Sequence, residues 1–311
     1  DTADLRSKWD VIILGPAPGT PQRLINGLPL RGAALPWDST IGPNVAMSPD
    51  TTADMRGGMG LAGLMNISRF VEQGGLFVTI GANNALPVEF GMVDSVTLTQ
   101  PREMRIRGSV LDAAVADQAS PVAYGYGDRL PVYYNQTAIL DVSRLGGLMG
   151  GMGSFGQAPA GRPSGRGTAT DPDVIQGRPY TPPPPPTPPG QLSPDVMEMM
   201  RNMLPAPEEQ PRTVVRFGDE KTLLISGMMA GGRELAGKPA VVTVPKGKGN
   251  FLMFAINPMW REQTQGSHML LLNAAMNYQH LNVGRARPQQ RSGAAERSAD
   301  DFDDLTMNGD Q

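Results

Sequence analysis

Four polar residues stand where side chains can meet a ligand. Asn83 and Asn84 follow the apolar run Leu76-Phe77-Val78-Thr79-Ile80 and the Gly81 that closes it, which places two amides in the loop beyond a buried strand. In open α/β sheets ligands bind on that side, beyond the carboxyl ends of the strands. Asp128 comes after Tyr124-Gly125-Tyr126-Gly127, and Arg261 ends Asn257-Pro258-Met259-Trp260-Arg261. A plainer account of these last two is a buried hydrogen-bonded pair or a loop clasp. Asn83, Asn84, Asp128 and Arg261 are the candidate ligand-binding set; no residue is assigned a catalytic or metal-binding role.

The remaining chemistry is narrowed by what the chain contains. With 0 Cys among 311 residues there is no thiol nucleophile, no Cys-ligated zinc and no disulfide framework. The two histidines, His268 and His280, lie twelve positions apart, so they cannot form the i, i+4 pair of a metalloprotease helix. No G-x-S-x-G elbow is present, and no spacing singles out a pair of carboxylates. Gly58-Met59-Gly60-Leu61-Ala62-Gly63 matches a dinucleotide fingerprint, but no strand precedes it and no acidic residue follows at the ribose position. It reads as a closely packed helix entry. Lys246-Gly247-Lys248-Gly249 lacks P-loop spacing and leads into a strand, so it reads as a hairpin turn. A net charge of −3, from 27 basic and 30 acidic residues, gives no footprint for nucleic acid. No apolar run reaches the ~18 residues needed to span a bilayer.

The elements that must position the four residues follow from periodicity. Trp9 to Leu14 is a short β-branched run closed by Gly15-Pro16, a buried strand. Residues 16 to 57 read as a long irregular connection. Leu61, Leu64, Met65, Ser68 and Val71 keep a helical period up to Gly74-Gly75, and Leu76 to Ile80 follows as a second buried strand. Strand, connection, helix and strand make a βαβ unit. Further strands are expected at Val93–Thr99, Arg105–Leu111 and Leu130–Tyr134, although Met104 to Val115 can partly be helical. After the composition shift, strands are expected at Thr213–Phe217, Thr222–Ser226, Ala240–Val244 and Phe251–Ile256. Ser267 is expected to cap a final helix carrying Leu270, Leu271, Ala274, Ala275 and Tyr278.

Half the proline, 15 of 30 residues, falls between Gly146 and Pro211. That segment cannot bury enough apolar surface to offset its ordering entropy. Thr181 to Pro189 should be a polyproline II rod, and Ser193 to Leu204 a short amphipathic helix rich in Met. The organisation expected is therefore residues 1–145 and 212–282 as two parts of one domain, 146–211 as a low-complexity insertion, and 283–311 as a polar, disordered tail. The opening residues show no charged n-region followed by an apolar stretch.

Several ordered motifs point to a family. Phe70-Val71-Glu72-Gln73-Gly74-Gly75-Leu76-Phe77-Val78, Ser120-Pro121-Val122-Ala123-Tyr124-Gly125 and Gly247-Lys248-Gly249-Asn250-Phe251-Leu252-Met253-Phe254, with Asn257-Pro258-Met259-Trp260-Arg261 and Asn273-Ala274, resemble the class I glutamine amidotransferase-like fold. More narrowly they resemble the carboxy-terminal region of large bacterial M14-family zinc carboxypeptidase-like proteins. The resemblance covers about residues 8 to 140 and 212 to 280. It implies an α/β, flavodoxin-like three-layer sandwich with a mainly parallel sheet and a C-terminal β-hairpin. It also implies a strand and helix ahead of the equivalent of Trp9, an opening that this chain does not contain.

The departures bear on function. Working amidotransferases use a Cys nucleophile, which is absent here. The M14 centre needs H-x-x-E, whereas His268 is followed by Met269, Leu270 and Leu271. The resemblance therefore implies a non-catalytic accessory domain of a metallocarboxypeptidase, with no cofactor in this chain and zinc elsewhere in the parent. It implies the parent's catalytic domain as partner, a peptide or glycan as ligand, and a periplasmic or extracellular setting. The alternatives are an independent carboxylate-based hydrolase, or a scaffold that recruits partners through the Pro-rich insertion.

Overall fold

The computed structural model describes residues 4–16, 20–38, 51–142, 210–262 and 264–285. In chain order the strands and helices are β1 (Val11–Leu14), α1 (Pro21–Asn26), α2 (Gly60–Glu72), β2 (Leu76–Ile80), α3 (Ala85–Glu89), β3 (Val96–Thr99), β4 (Arg105–Ile106), β5 (Ser109–Val115), β6 (Arg129–Tyr134) and β7 (Ile139–Val142). After the stretch that is not described come β8 (Arg212–Phe217), β9 (Leu224–Ser226), β10 (Met229–Ala230), β11 (Pro239–Lys246), β12 (Gly249–Phe254) and α4 (His268–Met276).

The main sheet runs β1-β2-β12-β11-β8-β5-β6, with β9 beside β5. It begins as the βαβ unit, in which β1 and β2 are parallel and α2 packs on β2 and β12. β12 then adds parallel to β2. Every residue of β2 and of β12 is buried, so both faces of the sheet's centre are covered, as a three-layer α/β sandwich requires. The C-terminal hairpin β11–β12 is present and turns at Gly247 and Lys248, where Gly247 takes φ 58. Parallel pairing is confined to β1, β2 and β12; beyond β12, through β11, β8, β5 and β6, neighbours are antiparallel. Parallel neighbours need a covering crossover, and the described chain supplies a long helical one only through α2. β5 pairs with β8, so residues on either side of 143–209 share one sheet.

Met104 to Val115 is strand rather than helix, broken at Gly108 with φ 67. Its partners β6, β8 and β9 decide this, because they complete a ladder that a helix would leave open. The rod at Thr181 to Pro189, the helix at Ser193 to Leu204 and the tail beyond Arg285 lie outside the described residues. Among the described residues no helix is long and apolar enough to cross a membrane.

The glycine motif at 58–63 serves packing. A Cβ on Gly58 would come within 2.2 Å of the Ile25 carbonyl oxygen and 2.4 Å of the Gly27 nitrogen, so backbone meets backbone where α1 ends and α2 begins. Gly58→Ala should therefore destabilise the fold by about 1–3 kcal/mol. A denaturant midpoint unchanged from wild type would contradict this close approach.

Candidate functional site

The carboxyl ends of β1, β2 and β12 lie side by side, and the two asparagines join them. The Asn83 amide donates to the Gly15 carbonyl just past β1, at 2.5 Å. The Asn84 amide donates to the Phe254 carbonyl at the end of β12, at 2.9 Å. Its own carbonyl accepts the Thr79 hydroxyl of β2, at 2.6 Å. Both side chains are buried, Asn84 at 1% exposure. Gly81 makes the turn possible: with φ 65 it occupies the left-handed region where a side chain would be strained. These amides thus staple three strand ends through backbone carbonyls.

Counting the antiparallel pairings outward from β12 gives β6 the same direction as β12. Its last residues, Tyr133 and Tyr134, therefore emerge at the same rim. The loop after β12 crosses to meet them: the Asn257 backbone N–H donates to the Tyr133 carbonyl at 3.1 Å. The Trp260 ring stacks on Tyr133 with centroids 5.0 Å apart and planes 5° apart. The Arg261 guanidinium lies over Trp260, 5.0 Å from its centroid, and its side chain is exposed. Arg261 and Glu262 both have positive φ, 46 and 58, a strained pair for residues with side chains. Tyr134 is buried, which pushes its phenol above the ordinary range, and its hydroxyl donates to the Thr137 carbonyl at 3.0 Å. The Ser267 hydroxyl lies 2.7 Å from each of the Pro258 and Thr264 carbonyls, and the Tyr126 hydroxyl donates to the Gly266 carbonyl.

Asp128 lies elsewhere. It precedes β6, about 16 Å along the strand from Tyr133. It is exposed and accepts a bond from Gln118 at 2.6 Å. Of the four candidates, Asn83, Asn84 and Arg261 follow strands that end on the same side of the sheet, the asparagines at β1, β2 and β12 and Arg261 over Trp260 and Tyr133, whereas Asp128 clasps a surface turn. Ser267 makes no side-chain cap to α4, because its hydroxyl is engaged by the preceding loop. His268 is half-buried and His280 exposed. Among the described residues no three of His, Asp and Glu group so as to hold a metal ion.

Sequence reasoning missed two constellations. One is the Tyr133–Trp260 stack, whose only signal was an aromatic in each flanking motif. The other lies beneath β8 and β11. Arg212 Nε meets Asp117 at 2.5 Å, and Nη1 donates to the Val283 carbonyl at 2.7 Å. Arg285 donates to the Gln210 carbonyl at 2.6 Å beside them. The Arg212 guanidinium holds the Asp117 carboxyl below its usual range, while burial and the charge of Arg212 push Arg285 down to about 10. No local pattern announces three residues so far apart in the chain.

The pairing order and the stapled rim define the chain as a mixed α/β domain whose sheet is covered on both faces at its centre. No family model and no curated protein matches it. Among solved structures it is similar to a cytoplasmic protein of Salmonella typhimurium, at 12% identity and TM-score 0.39 over 89% of this chain and 74% of that one. It is also similar to a ThuA-like protein of Parabacteroides merdae, at 11% identity and TM-score 0.36 over 74% and 69% of the two chains. A GMP synthase protein of Thermoplasma acidophilum aligns at 7% identity and TM-score 0.32 over 70% and 64%.

Proposed function

We propose that this chain is a non-catalytic accessory domain of a bacterial M14-like zinc metallocarboxypeptidase. It packs against the catalytic domain, shapes substrate access, or holds a peptide or glycan. The observation that carries the reading is the stapled rim. At the strand ends, where a catalytic domain of this sheet type would need reactive groups, Asn83 and Asn84 spend their amides on the Gly15 and Phe254 carbonyls. A side chain held that way orders backbone and has no nucleophile or base to offer. The sequence motifs at 70–78, 120–125 and 247–261 supply the link to the M14 context, and zinc belongs to the parent's own ligands. The parent's localisation, periplasmic or extracellular, is part of the same proposal.

Two measurements test it. The chain is assayed for release of C-terminal residues from peptides and for hydrolysis of glutamine, with metal content measured in parallel. Turnover in either assay, with stoichiometric zinc in the peptidase case, would overturn the accessory reading. Absence of turnover from the chain, with activity in the proposed parent protein, is the expected result.

A further inference from the structure

We infer that Arg261 is a receptor for a single carboxylate, the ligand class being a small organic acid or the free α-carboxylate of a peptide. The inference deepens the accessory reading by naming what the rim would hold. It rests on that reading only in treating the rim as a binding surface.

Three observations meet at this residue. First, Trp260 stacks on Tyr133 and carries the Arg261 guanidinium over its ring, so the position of the cation is set by two aromatics and not by a flexible chain alone. Second, the backbone at Arg261 and Glu262 sits in the left-handed region, at φ 46 and 58. Strain of that kind persists where surrounding structure imposes it, and here it aims the side chain across Trp260. Third, among the described residues no carboxylate or carbonyl accepts a hydrogen bond from Arg261, although the guanidinium has five N–H donors and is exposed. Arginines used to brace this fold look different: Arg56 is paired with Asp54, and Arg212 with Asp117.

The charge around the site selects the ligand. Arg261 is one cation with Glu262 next to it in the chain. A dianionic phosphate gathers several cations, whereas a planar monoanionic carboxylate matches one planar guanidinium fork in two parallel bonds. Aromatic surface beside the fork suits a carboxylate that carries an apolar group. Arg261 lies in the loop beyond the carboxyl end of β12, a strand of the parallel part of the sheet, where open α/β sheets accept ligands.

The test uses the full chain, titrated with N-acetylphenylalanine, with its C-terminal amide and with inorganic phosphate, following the Arg Nε–H resonances by NMR. Arg261→Gly is the main variant, because glycine accepts a positive φ and the fold should keep its Tm. The expected result is saturable movement of the Arg261 signal with the acid and at least about ten-fold weaker binding of the amide. Arg261→Gly should lose the acid by a similar factor, and Arg261→Lys should bind it more weakly than wild type because the fork is gone. Equal affinity for acid and amide, an Arg261→Gly variant that binds the acid as wild type does, tighter binding of phosphate than of the acid, or no saturable shift in the millimolar range would each overturn the proposal. None of these outcomes bears on zinc or peptidase activity, so failure here is distinguishable from failure of the accessory reading.

Discussion

Asn84→Ala is expected to cost about 2–4 kcal/mol of folding stability. Asn84 is 1% exposed and satisfies two partners at once, the Thr79 hydroxyl and the Phe254 carbonyl. Alanine fills neither role, and both groups stay in a region that water does not reach. Leaving a buried polar group without its partner costs roughly 1–3 kcal/mol each, which sets the range. Asn84→Asp separates the two bonds: it keeps an acceptor for Thr79 but replaces the donor to Phe254 with a carboxylate facing a carbonyl. It should be no more stable than the alanine variant at neutral pH and should recover as the carboxyl is protonated. Equilibrium denaturation reads both changes. A loss under about 0.5 kcal/mol, typical of a surface substitution, would show that the asparagine does not join the strands.

The second large effect is expected at Asp117. Arg212 is buried, with only 5% of its side chain exposed, and Asp117 is the carboxylate that faces both it and Arg285. Removing one partner of a buried pair leaves an uncompensated charge and costs about 3–5 kcal/mol. Asp117 keeps 29% exposure, and solvent screening brings the expectation for Asp117→Ala to about 2–3 kcal/mol. The pH dependence follows from the sign of the shift. The hydrogen bond from Arg212 lowers the folded-state pKa of Asp117, so its stabilising contribution is present above the unfolded value near ~3.9 and disappears as pH falls through the lower folded value. Wild-type stability should thus decline in acid along a limb that Asp117→Ala shows only in part. Parallel acid limbs in the two proteins would mean that Asp117 carries no such linkage.

How much of this was legible in the sequence depends on range. The strand Leu76–Ile80 was readable to the residue, because a continuous apolar run between glycine signals leaves few alternatives. Helix α2 and the turn at Gly247-Lys248 were equally local. β1 begins at Val11 rather than Trp9, and the carboxylate of Asp10 just before it accepts bonds from Tyr278 at 2.8 Å and Arg6 at 2.6 Å. Sheet order was harder: β5 chooses β6, β8 and β9, and the β8 partner lies across the whole Pro-rich segment. At the rim, the place of Asn83 and Asn84 after a strand was visible, but their partners Gly15 and Phe254 are 68 and 170 positions away. Asp128 looked special because of the glycines and tyrosines before it, and those residues turn out to serve a turn whose Tyr126 reaches Gly266. Arg261 stands out in the sequence through its motif, whereas the strained φ and the stacked ring that give it meaning arise only from the fold.

The central claim is that this chain assists a zinc carboxypeptidase without being one. The most direct measurement purifies the 311-residue chain and the proposed parent protein side by side. Each is measured for bound zinc and for release of C-terminal residues from a peptide. The account predicts zinc and turnover in the parent alone, with turnover abolished by a chelator. Zinc with turnover in the isolated chain, or a parent that has neither, would contradict it.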